Sequence, residues 1–177
     1  MEVHMLRNLC SSALLAVLLV VLVAGNVQAQ TLVNKDLNAT ANVLSAISLN
    51  QSDLLFGNIA VSTTVIQDPQ NLVNSYVGSV HAAGTITITA EPTTHVLVTW
   101  PSTLALKQSG KTDLTVTLNV TGDASNANQA TSGPLTSTAD VTTGGTGNFR
   151  LWIGGSVTTG IETGPFAGLV NFTVEYK

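Results

Sequence analysis

Gly168-Leu169-Val170-Asn171-Phe172-Thr173-Val174-Glu175-Tyr176-Lys177 closes the chain, and its alternation decides what the rest must build. Side chains of an extended strand point alternately to opposite faces. Val170, Phe172, Val174 and Tyr176 therefore share one side, and Asn171, Thr173, Glu175 and Lys177 the other. That is a half-buried strand. Burying four such side chains stabilises by roughly 1.5–3 kcal/mol each, whereas fixing ten residues of backbone costs about 1–2 kcal/mol apiece. Burial alone does not hold the segment, so neighbouring strands must complete its backbone hydrogen bonds, and the reading places it inside a sheet.

The same period recurs upstream. Leu114, Val116, Leu118 and Val120 mark the longest regular run. Thr85-Ile86-Thr87-Ile88-Thr89 is a strand closed by Glu91-Pro92-Thr93, and His95 to Trp100, ended by Pro101, is the next; together they read as a hairpin. Thr103 to Leu106 reads as an edge strand, followed by a turn at Gln108 to Lys111. Phe149, Leu151 and Ile153 give a strand broken at Gly154-Gly155, with Val157 to Ile161 as its continuation. Ala39 to Leu49 reads as a first strand kinked between Leu44 and Ala46, and Val61 to Gln67 as a further short one. Asp68 to Ala83 is an irregular excursion. The run of Gly, Ser, Thr, Ala and Asn from about 122 to 148 is expected to be a long loop with at most a weak strand at Ser137 to Thr142. Short strands punctuated by Gly, Pro and Asn, with no convincing helix, predict an all-β, antiparallel two-sheet sandwich.

The first residues belong to a different kind of segment. Arg7 precedes the unbroken apolar run Leu14 to Ala24, and Val27-Gln28-Ala29 places small residues three and one before a cut. This is the pattern of a secretory signal peptide over 1–29, with the mature chain, a single domain over 30–177, starting at Gln30. The run is shorter than the roughly 20 residues of a membrane span, and no later stretch is apolar enough to make one. Cys10, the only cysteine, lies within the signal, so the mature domain relies on its core and not on disulfides. The formal net charge is −4, and removal of Glu2 and Arg7 leaves it unchanged. Mild acidity lacks the basic footprint that nucleic acid requires.

Chemistry is hard to assemble from what remains. Gly110-Lys111-Thr112 resembles the tail of a phosphate loop, but Ala105 stands where a glycine is needed and a strand follows in place of a helix. His81 and His95 are the only histidines after the signal and lack a third ligand at metal spacing. Asp123 to Asn128 offers loop oxygens without the second carboxylate of a calcium site. No serine sits in a nucleophile elbow, and paired carboxylates have few acids to draw on. No enzyme, cofactor or metal is therefore expected. Trp100 and Trp152 are candidates for stacking on a sugar ring, which would make the chain a self-contained carbohydrate-binding module; packing within the core is the competing role.

Four stretches carry a resemblance. Leu55-Phe56-Gly57-Asn58-Ile59, Val96-Leu97-Val98-Thr99-Trp100-Pro101, Leu151-Trp152-Ile153-Gly154-Gly155 and Gly168 to Tyr176 together resemble a domain-of-unknown-function family of secreted bacterial proteins. That family is similar to the fimbrial and spore-coat protein U group of immunoglobulin-like pilins. The C-terminus also resembles chaperone–usher pilus subunits, which place a Tyr next to last and a Gly fourteenth from the end, as Tyr176 and Gly164 stand here. The chain departs from them in lacking a disulfide and in having only Gln30 to Asn38 ahead of Ala39. What the resemblance implies is an immunoglobulin-like sandwich in a non-enzymatic surface subunit of a bacterium, in the periplasm, on the cell surface or in a fimbrium. Gly164, Val170, Phe172, Val174 and Tyr176 would border a groove for a partner strand, given first by a periplasmic chaperone and then by a like subunit.

Overall fold

Thr, Val and Ile fill the strands, because branched side chains suit a pleated, half-buried surface. The computed structural model describes residues 41–75, 80–124 and 128–177. Ten strands follow in order: β1 Ser48–Ser52, β2 Thr64–Gln67, β3 Gly84–Thr89, β4 His95–Thr99, β5 Thr103–Leu106, β6 Leu114–Asp123, β7 Gly133–Leu135, β8 Thr138–Thr142, β9 Asn148–Thr158 and β10 Thr173–Tyr176. The one helical element among the described residues is a 3-10 turn at Gln129–Thr131. All pairings are antiparallel and form two sheets. The larger runs β1-β3-β9-β6-β5, with β2 paired to β9 and β7 to β6; the smaller runs β10-β4-β8. The fold is thus all-β and sandwich-like, as the alternation predicts. The expected signal peptide, the expected start at Gln30 and Ala39-Thr40 of the expected first strand lie outside the described residues.

Several local expectations are corrected. β3 and β4 are not a hairpin: β3 pairs with β1 and β9, whereas β4 pairs with β10 and β8, so the turn between them carries the chain from one sheet to the other. Thr93, at φ 53°, makes that crossing. Gly154-Gly155 does not break a strand, since β9 runs unbroken through both. A Cβ on Gly154 would sit 2.2 Å from the Gln67 carbonyl, so glycine is needed there for a loop to lie against the sheet. The stretch around 122–148 is not one long loop, because besides β8, which falls where the sequence predicts the weak strand at Ser137 to Thr142, it contains the end of β6, the 3-10 turn and β7. The first strand starts at Ser48, and Ala41 to Ile47 is not in a strand. β10 begins only at Thr173, later than the alternation from Val170 suggests; it is held within a sheet by β4, as expected, and among the described residues it pairs on that side alone.

Packing divides the interior into two unequal parts. The larger cluster sets Ile86, Ile88, Val120, Phe149 and Leu151 of the large sheet against Val96, Val98, Ala139 and Val141 of the small one. The smaller cluster has three buried residues, Val65, Val116 and Val157, and none of its members comes from the small sheet. Among the described residues, the part of the large sheet's inner face around Val65, Val116 and Val157 therefore has no second sheet opposite it.

Candidate functional site: an apolar groove beside the last strand

Over this part of the large sheet Phe56, Ile59, Leu104, Leu106 and Leu114 pack on the smaller cluster but stay only partly buried. They belong to a groove of about 1230 Å³. Its walls are two segments without regular pairing, the chain from Leu54 to Val61 and the chain from Glu162 to Phe172. Apolar side chains rim it: Leu49 is 47 % exposed, Leu55 43 %, Val61 47 %, Val80 77 % and Leu169 98 %. Among the described residues Asp53 and Glu162 are its only charged lining residues, and the Glu162 carboxylate already accepts the Thr112 N–H at 2.8 Å. Exposed apolar patches rimmed in this way are characteristic of contact surfaces.

The C-terminal segment positions the groove's second wall. Ala167 and Lys107 exchange backbone hydrogen bonds of 2.7 and 3.1 Å, which tie the segment to the edge strand β5. Gly168 lies so close to that strand that a Cβ would stand 2.4 Å from the Ala105 carbonyl. The chain then leaves the large sheet, crosses as Leu169 to Phe172, and enters the small sheet as β10. Among the described residues no strand pairs with the outer edge of β10; the crossing segment presents its backbone donors and acceptors along the groove, and the edge of β10 continues from the groove's Phe172 end.

Of the residues read from the sequence, Gly164, Val170 and Phe172 line this groove. Val174 and Tyr176 do not; with Phe172 they pack on the larger cluster. Phe172 reaches both places, because its ring stacks on Trp100 at 5.5 Å with 25° between the planes. Trp100 is 6 % exposed and Trp152 3 %, so neither indole offers a face to solvent. Trp152 is on the outer face of β9 and is covered there. Its cross-strand neighbour Thr121 accepts a hydrogen bond from Ser132, and Gln70 and Gln129 tie the covering loops together through the Ser132 and Pro69 carbonyls. The sequence reading missed the groove's floor, Leu104, Leu106 and Leu114, and its far wall, Phe56 and Ile59. The available signal was the density of large apolar residues from Leu54 to Val61, which is high for a segment outside regular strands.

Gly164 has a conformational reason to be glycine. Its φ is +130°, and a Cβ would lie 2.4 Å from the Gln108 side-chain amide. Gly164→Ala is expected to cost roughly 1–3 kcal/mol in a denaturant melt, because it adds a disfavoured backbone region to a steric clash. An unchanged midpoint would show that the turn relaxes freely.

Polar contacts hold the far end of β10. The Tyr176 hydroxyl donates to the Ser45 carbonyl at 2.7 Å and accepts the Glu91 N–H at 2.8 Å. The Glu91 carboxyl is held below the usual carboxylate range by the Ser45 hydroxyl and then by the Ser45 N–H. On the outer face, Asp140 joins Lys177 at 2.5 Å and His95 at 2.9 Å, and this pairing lowers its pKa, the Lys177 contact first. These contacts favour the fold above the unfolded carboxylate pKa and lose that effect as pH falls through the lowered folded values.

Among the described residues no three His, Cys, Asp or Glu side chains gather as a metal site. No helix there is long and apolar enough to cross a membrane. A family model described as Domain of unknown function (DUF4402) matches residues 47–176. No curated protein matches the chain.

Proposed function

The chain belongs to the DUF4402 family, and we propose that it works as a secreted, non-enzymatic surface subunit of pilin-like type that associates by β-strand addition. The observation that carries this reading is the groove. An apolar trough that leads, at Phe172, into a strand edge unpaired among the described residues matches a partner strand in both of its chemistries, side chains for the floor and backbone groups for the crossing segment and the edge of β10 that continues from it. Main-chain hydrogen bonds supply affinity without catalytic side chains, which suits a sequence in which no catalytic motif is recognised. The resemblance of Gly164 and Tyr176 to the pilus-subunit pattern supports the same reading, as does the signal-like start of the sequence. The partners in this reading are a periplasmic chaperone strand before assembly and strands of like subunits after it, on a bacterial surface or in a fimbrium. The immunoglobulin-like character of the sandwich belongs to the same proposal.

Leu169→Lys combined with Leu55→Lys tests it. Both side chains are exposed on the groove's rim, one of them almost fully, so the melt should move by no more than about 0.5 kcal/mol per exposed site. Self-association in sedimentation velocity should fall at least about tenfold in apparent affinity, since charges on the rim must be desolvated by an incoming strand. A parent chain that remains monomeric at high concentration, or a double variant that associates equally well, would contradict strand addition at this groove.

A further inference from the structure

We propose that Ser45, Glu91 and Tyr176 form a latch that closes one end of the groove and fixes how far along β10 a partner strand can run; this rests on the strand-addition reading above. Every polar group of Ser45 is engaged. Its N–H and its hydroxyl donate to Glu91 Oε2 at 3.3 and 2.6 Å, and its carbonyl accepts the Tyr176 hydroxyl at 2.7 Å. That hydroxyl in turn accepts the Glu91 N–H at 2.8 Å. Three segments remote in sequence are tied at one point: the chain ahead of β1, the turn after β3 and the last strand.

The tie spans the two sheets. Ser45 leads into β1, an edge of the large sheet, and Tyr176 ends β10, an edge of the small one. Between these edges the groove lies open farther along, where its lining runs from Leu49 on one wall to Phe172 on the other. Val174 and Tyr176 fall beyond that lining. Lys177 donates its N–H to the His95 carbonyl at 3.2 Å, and antiparallel alternation therefore turns the amides of Val174 and Tyr176 toward the outer edge. A partner strand that pairs along the crossing segment toward the C-terminus reaches Val174 and then meets Ser45 before Tyr176. The penultimate tyrosine thus acts inside its own chain, as a stop at the end of the groove.

Amide hydrogen exchange by NMR on the purified chain and on Tyr176→Phe tests the latch, with and without excess of a synthetic peptide of the alternating sequence Leu37 to Leu44. The phenylalanine keeps the ring in the core and removes only the hydroxyl. Exchange at Glu91 and Ser45 should quicken about tenfold or more, while the amides of Val96 and Val98 keep their parent rates. The peptide should slow exchange at Val174 in both proteins and at Tyr176 only in the variant. Glu91→Gln, which weakens the hold on Ser45 without touching the core, should quicken Ser45 in the same way. Parent rates at Ser45 and Glu91 in both variants, or a peptide that protects Tyr176 in the parent, would overturn the latch. A peptide that protects Val174 in neither protein would count against strand addition, and the exchange rates at Ser45 and Glu91 would still decide the latch.

Discussion

Val116→Asp is expected to unfold the chain at room temperature. Val116 is fully buried and, with Val65 and Val157, makes up the buried part of the smaller core cluster among the described residues. It is opposite Leu104 on one neighbouring strand and Val157 on the other, so an aspartate there has apolar side chains on both sides. An unpaired buried charge costs more than about 4 kcal/mol, a large share of the roughly 5–15 kcal/mol by which a domain is stable. The smaller cluster has little with which to compensate, because its outer members already border the open groove. Far-ultraviolet circular dichroism and a urea melt of the variant beside the parent would check this. A variant that melts like the parent would mean that Val116 does not face the core.

Position 116 also illustrates what could be read from the sequence. The alternation from Leu114 to Val120 specifies both the strand and its buried side, since one face is apolar over the whole run. The inward residues of β3, β4 and β9 were legible for the same reason. Strand partners were not: nothing in Thr85 to Thr89 or His95 to Thr99 says that the two strands belong to different sheets, because a five-residue turn serves a hairpin or a crossing equally well. β8 was legible only as a weak strand at Ser137 to Thr142, because only Ala139 and Val141 point inward, among hydroxyl-bearing neighbours that also suit a loop. Gly154-Gly155 looked like a break because the need for glycine there is set by the loop at Gln67 and Pro69, more than eighty residues away in sequence. For the groove, Val170 and Phe172 could be named from their alternation and Gly164 from its distance to the C-terminus. The floor could not, since Leu104 and Leu106 have the same pattern whether or not a second sheet covers them.

The second large effect follows from that uncovered face. If the groove is built to receive a strand, then supplying one within the same chain completes the sandwich. A linker of about five flexible residues after Lys177, long enough to pass Ser45, would return an alternating apolar strand along β10 and the crossing segment. Three or four of its side chains would be newly buried at about 1.5–3 kcal/mol each, and new backbone hydrogen bonds would offset part of the cost of ordering the strand. The net gain is expected to be several kcal/mol. Blocking the edge in this way should also remove the tendency to self-associate, because the donor occupies the surface through which copies join.

A denaturant melt of the chain with and without this donor strand, read beside electron microscopy of concentrated samples of both, tests strand addition most directly. The account predicts a higher midpoint for the donor-bearing chain, and filaments or aggregates from the parent alone. A parent that is a monodisperse monomer with a high midpoint, unmoved by the donor and never forming fibres, would contradict it.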